Sequence, residues 1–230
     1  YFFRIDSYLS DASSLGTFTG MFGTLYGIMT AFIVFEVWGQ YGKTVRLIEL
    51  EAQHWERLYR LTLYFHNDKV TKKMKHAVET YMRSVIEGKF SALGSGNRNK
   101  ISARYFREIA QIIRDIKGDD ANRQRILDHI IDQYGSLSET RTERTNQSLA
   151  RLPMLLKLFL YISSAIAVGT FVIMPFANVG YSVFVVLTFT FILMMVLQLI
   201  EDLDNPFVGF WNLTPAPFER ALKHLEEDYS

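Results

Sequence analysis

The chain has 230 residues, with 25 Lys or Arg against 24 Asp or Glu, and no cysteine. The absence of cysteine excludes disulfides and thiolate metal sites, and the balance of charge argues against a dedicated nucleic-acid binder. Apolar residues make up 49% of the total but are pooled into long runs, so the local runs rather than the average decide the class.

The first run is Leu15 to Trp38 (LGTFTGMFGTLYGIMTAFIVFEVW), charged only at Glu36. It lacks the basic start and small-residue cleavage site of a secretory signal, and its length suits a helix crossing a hydrocarbon core of about 30 Å. Beyond it, Val45, Ile48, Ala52, Trp55 and Leu58 keep helical spacing, so the span is expected to continue into water as one rod. A second helix follows from Val70 to Val85 with Asp68 as its N-cap, and a third uses Tyr105, Phe106, Ile109, Ile112, Ile113 and Ile116. Between them Ser91–Lys100 (SALGSGNRNK) reads as a flexible loop. A fourth helix begins near Ala121 and becomes almost wholly polar through Ser136–Ser148, which fits either the lining of an aqueous vestibule or an ordinary solvated helix. Two further apolar runs complete the pattern: Leu152 to Pro175, carrying only Lys157, expected to snorkel to the headgroups, and Tyr181 to Ile200, with no charge at all.

All Lys and Arg except Arg4, Lys157, Arg220 and Lys223 lie between Lys43 and Arg151, which places that middle section on the cytoplasmic side. The expected order is an extracytoplasmic segment at 1–14, a transmembrane helix at 15–38, a cytoplasmic helical domain at 39–151, transmembrane helices at 152–176 and 181–200, and a cytoplasmic C-terminal segment at 201–230. Tyr1–Arg4 (YFFR) looks like the end of an apolar helix, so an earlier span preceding this sequence is expected, with a processed N-terminus as the alternative.

No catalytic pattern accompanies these helices. The five histidines are scattered, with no HExxH, and no P-loop, GxGxxG or GxSxG element occurs. Neither an enzyme nor a cofactor is expected. The distinctive feature is in the first span, where Gly16, Gly20, Gly23 and Gly27 recur at steps of four and three beside Thr17, Thr24 and Ala31. That small face fits close packing against another span or the wall of a pore in a symmetric oligomer. Glu36 has two readings: the cytoplasmic mouth of such a pore, or a snorkelling group paired with Lys43 or another helix.

At Glu36–Tyr41 (EVWGQY) and Leu203–Phe207 (LDNPF) the sequence resembles the bestrophins distantly, and the bacterial bestrophin-like domain proteins more closely, over nearly the whole chain. Glu51–Arg60 (EAQHWERLYR) and the Arg-rich approach to Leu152-Pro153 share in that similarity. The resemblance implies an all-α, bestrophin-like membrane protein with four spans per subunit and a cytoplasmic helical domain. It also implies a homo-oligomer, expected as a pentamer, that conducts ions through a neck formed by the span seen here at 15–38. The matched neck positions are Gly20, Thr24 and Ile28, with Phe35 as a further pore-lining candidate. In bestrophins those positions are bulky and apolar, so either this neck is wider and wetter or the constriction lies elsewhere. Asp202, Asp204, Asn205, Pro206 and Phe207 fall where the family carries a regulatory C-terminal segment. Val208–Ala216 (VGFWNLTPA) supplies none of the carboxylates that a calcium clasp needs, and no metal site is expected. Anion conduction is the first expectation from the resemblance. A cation-selective channel of the same architecture and a non-conducting scaffold or sensor are the alternatives.

Overall fold

The computed structural model describes residues 12–87, 100–174, 176–207 and 210–227. Among them the elements are all helices: α1 (Ala12–Leu63), α2 (Asp68–Glu87), α3 (Lys100–Arg114), α4 (Ala121–Gln147), α5 (Met154–Ile173), α6 (Val179–Asp204) and α7 (Ala216–Glu227). The rod expected beyond the first span is present, since α1 runs 52 residues without a break. The expected loop at Ser91–Lys100 lies, but for Lys100, outside the described residues. Two compact units form, one from the described residues up to Gly39 with Arg151–Asp204, the other from Gln40–Ala150 with the residues from Asn205 onward.

The second unit, here the helical unit, has an aromatic core. Helical spacing on α1 puts Ile48, Ala52, Trp55 and Leu58 on one buried stripe. Trp55 packs on Tyr81 of α2, with centroids 4.3 Å apart, and meets Phe106 of α3 edge-on at 5.8 Å, while Phe106 stacks on Tyr134 of α4 at 4.8 Å. Helix α2 packs against α3 and α7, and α7 contributes Phe218 and Leu225 to the same core. Fully burying a side chain of this size contributes about 1.5–3 kcal/mol.

Local signals set the helix ends. Asp120 caps α4 by accepting from the Asn122 and Arg123 amides at 2.9 and 2.8 Å. The cap of α2 differs from the sequence expectation: Asn67, not Asp68, accepts from the Lys69 and Val70 amides, at 3.2 and 3.3 Å. His66 just before it has φ 50°, so the chain turns sharply there and presents Asn67 one residue earlier than spacing suggests. In α4 the polar stretch stays helical, yet Leu137 and Arg144 are buried on one side of it, so it is not polar all round.

The first unit, here the spanning unit, contains three helices long and apolar enough to cross a bilayer, formed by α1, α5 and α6. Helices α5 and α6 pack together, with Phe171 and Phe189 centroids 4.4 Å apart. Asn178 starts α6, accepting from the Gly180 amide at 2.8 Å. The first half of α1 joins them through Tyr26, whose hydroxyl lies 2.7 Å from that of Ser164.

Candidate functional site

Within the spanning unit, α1 has two opposed faces. Tyr26, Thr30, Ile33 and Val37 are buried. Gly20, Thr24, Ile28 and Phe35 lie across the helix from them and are exposed, Phe35 by 78%. At roughly 100° per residue these four fall within one quarter of the helix circumference. A Cβ built at Gly16, Gly20, Gly23 or Gly27 meets nothing within 4 Å. The described residues of the same chain thus leave room for a side chain at each of these glycines. The Thr24 hydroxyl donates to the Gly20 carbonyl at 2.8 Å, satisfying its hydrogen inside the helix while its oxygen still faces outward. Glu36 is also exposed, rotated away from the Gly20 face. Lys43 forms an ion pair with Glu143 at 2.8 Å. Phe18 and Phe32 are exposed, whereas Phe22 is half-buried, stacked 6.2 Å from Tyr26.

At the C-terminal end of α6 two of the three acids are buried. Asp204 is only 3% exposed and accepts from the Leu152 amide at 2.6 Å and from Lys157 at 2.7 Å. Glu201 takes Lys157 at 3.1 Å and the Tyr161 hydroxyl at 2.7 Å. Asp202 is buried and accepts from Gln198 at 3.0 Å. Lys157 therefore turns inward to these carboxylates instead of reaching outward, because a paired ammonium costs less in an apolar setting than a lone one. Among the described residues no group of three or more His, Asp or Glu could hold a metal ion. Pro206 and Phe207 belong to the helical unit, where the Pro206 carbonyl accepts from Leu213 at 2.9 Å and Phe207 enters the core. Asn205 stands at the start of that same stretch.

A buried cluster in the helical unit went unread in the sequence. Glu51 on α1 accepts the Tyr81 hydroxyl at 2.6 Å and forms an ion pair with the Arg144 Nε. All three side chains are almost wholly enclosed. Burial pushes the Tyr81 hydroxyl above its ordinary value, and the Glu51 charge adds to this. Burial pushes Tyr134 up to about 12. Burial alone would lower Arg144, but the Glu51 charge beside it holds it above the usual arginine value. The one available signal was an acid on the apolar stripe of α1, between Ile48 and Trp55.

Bilayer-length helices joined to a helical unit with its own core define an integral membrane protein of the all-α class. The profile of the bestrophin-like domain family matches residues 10–218, and the chain belongs to that family. Crystal structures of two variants of a bacterial bestrophin homologue from Klebsiella pneumoniae have the same fold. Their TM-scores are 0.72 and 0.71 and their identities 12% and 13%, each covering 96% of this chain and 91% of the other. A third crystal structure, of a membrane protein, has a TM-score of 0.69 at 13% identity, covering 94% of this chain and 90% of the other. No curated protein sequence matches.

Proposed function

We propose that the protein is a homo-oligomeric ion channel, pentameric as the family resemblance implies, with the Gly20, Thr24, Ile28 and Phe35 face of α1 turned toward the axis. The observation that supports this most is the exposure of that face: Gly20 and the hydroxyl-bearing Thr24 stand exposed in an apolar span, and a Cβ at Gly20 would meet nothing within 4 Å. At the level of Gly20 and Thr24 such a face leaves water and ions room that a bulky apolar side chain would take. The helical unit and the C-terminal residues lie in the cytoplasm, in keeping with the distribution of Lys and Arg. The protein carries ions and catalyses no reaction.

Anions are the expected permeant class, on the family resemblance. Cation selectivity is the second reading, supported by the exposed carboxylate of Glu36, which would attract cations at the mouth of the path. Purified protein in planar bilayers is expected to carry current, with a reversal potential in asymmetric KCl near that of chloride. A potassium-like value would favour the cation reading. Silence of a monodisperse oligomer across pH, voltage and calcium would point to a non-conducting scaffold.

A further inference from the structure

Just beyond α6 the chain makes a closed loop with an aromatic tip. After the helix ends at Asp204, the Pro206 carbonyl accepts from the Leu213 amide at 2.9 Å, which draws the two ends of the 206–213 stretch together. Phe207 near one end enters the core of the helical unit, and Leu213 at the other packs against that core. Both ends are therefore fixed. Phe210 and Trp211 between them stay outside the core, 89% and 45% exposed, and no other large apolar side chain among the described residues is as exposed as Phe210. The whole stretch from Pro206 to Leu213 (PFVGFWNL) carries no charge.

One contact sets the position of this tip along α1. Trp211 meets Tyr41 edge-on, with ring centroids 6.5 Å apart. Tyr41 is three residues past Trp38, where the apolar run of α1 ends, and two before Lys43, the first basic residue after that run. At 1.5 Å per residue it stands about 4.5 Å beyond the run. The headgroup layer on each side of a bilayer is roughly 5–7 Å deep, from a total thickness of about 40–45 Å around a hydrocarbon core of about 30 Å. Tyr41 thus falls within that layer, and Trp211 within a ring's width of Tyr41. Tryptophan and tyrosine favour this depth, because each joins an apolar ring to a polar group that water or headgroups can meet. A tip bathed in water would leave Phe210 with neither burial nor a polar group to hydrate.

We infer that Phe210 and Trp211 insert among the lipid headgroups on the side where α1 leaves the bilayer, so that the 206–213 loop is a membrane-surface anchor for the helical unit. A lipid surface suits the tip better than a protein partner does. Two aromatic side chains offer about 300–500 Å², against about 800 Å² from each partner in a stable protein interface, and the loop brings no charge with which to select a partner. The anchor gives the helical unit a hold on the membrane apart from the spans. It requires only that α1 crosses a bilayer and is independent of conduction.

Tryptophan fluorescence of the full chain in phosphatidylcholine vesicles tests this. The chain has three tryptophans. Trp38→Phe removes the one at the end of the α1 run, and Trp55 is fully buried, about 25 Å further along α1 than Trp38 and so out of reach of lipid-borne quenchers. Subtracting the emission of Trp38→Phe with Trp211→Phe from that of Trp38→Phe alone therefore isolates Trp211. That emission is expected to be quenched at least twofold more by a nitroxide on the lipid headgroup than by one deep in the acyl chain. Adding Phe210→Asp to Trp38→Phe is expected to cut the headgroup quenching at least twofold. Quenching by aqueous iodide with none from the headgroup nitroxide would overturn the inference in favour of a tip in water, and insensitivity to both in favour of a tip covered by protein. Stronger quenching from the deep nitroxide would overturn it in favour of a tip within the hydrocarbon. Headgroup quenching unchanged by Phe210→Asp would also overturn it, since the protein alone would then hold the tip at that depth.

Discussion

The two halves of α1 bury their residues in different ways. Beyond Gln40 the helix hides Ile48, Trp55 and Leu58 completely or nearly so in a core closed by α2, α3 and α7 of the same chain. Before Gly39 only 17% of its apolar window is buried, and the corresponding figure for α6 is 11%. One half thus completes its packing within the protomer, and the other leaves most of its apolar surface uncovered by the described residues. The same residue types therefore have different consequences in the two halves. Trp55, beyond Gln40, is fully buried and holds the helical unit together, whereas Phe35, before Gly39, stays exposed.

Substitutions that break this contrast should differ in size accordingly. The largest loss is expected for Arg144→Ala, which leaves the buried Glu51 carboxylate without its cation. About 3–5 kcal/mol of unfolding free energy should be lost in thermal or denaturant unfolding. Replacing both partners, Glu51→Leu with Arg144→Met, should recover most of it. Trp55→Ala should cost about 3–5 kcal/mol through the cavity it leaves between Tyr81 and Phe106. By contrast, Phe35→Ala in the first half should change protomer stability by no more than about 0.5 kcal/mol and act instead on conductance. A large stability loss there would mean that this face is packed inside the protomer. In α2, Asn67→Ala should cost about 1 kcal/mol and Asp68→Ala less, since only Asn67 holds the capping bonds. The smallest effect is on alkaline sensitivity. Tyr81 and Tyr134 are held neutral in the fold, so above the ordinary tyrosine value of 10.0 the unfolded chain binds fewer protons than the folded one, and stability falls as pH rises. Tyr81→Phe should flatten that decline, and an unchanged slope would show that Tyr81 is not buried in its neutral form.

Much of this architecture was legible in the residues because it follows from periodicity and length. The continuous α1 came from apolar spacing with no breaker after Gly42, and the three spans from uncharged runs. What escaped depends on distant partners. Glu51 and Arg144 are 93 positions apart, and nothing local marks the arginine as the partner of an acid on the α1 stripe. Lys157 looked like a snorkelling residue because Asp204, which takes its charge, is 47 positions later (204 − 157). The cap of α2 was misplaced by one residue because Asn67 and Asp68 are both good caps, and only the turn at His66 decides between them. The Gly20 face was visible as a pattern. Its exposure in the folded chain was not, because spacing shows which residues share a face and not what covers it.

The central claim is that this uncovered face of α1 lines an ion path, and the most direct test is the reversal potential of Thr24 variants in asymmetric salt. Reconstituted Thr24→Lys and Thr24→Glu oligomers should shift it in opposite directions, the lysine toward anion and the glutamate toward cation permeation, relative to the unsubstituted protein. Intact oligomers of both variants that conduct with an unchanged reversal potential would contradict the claim.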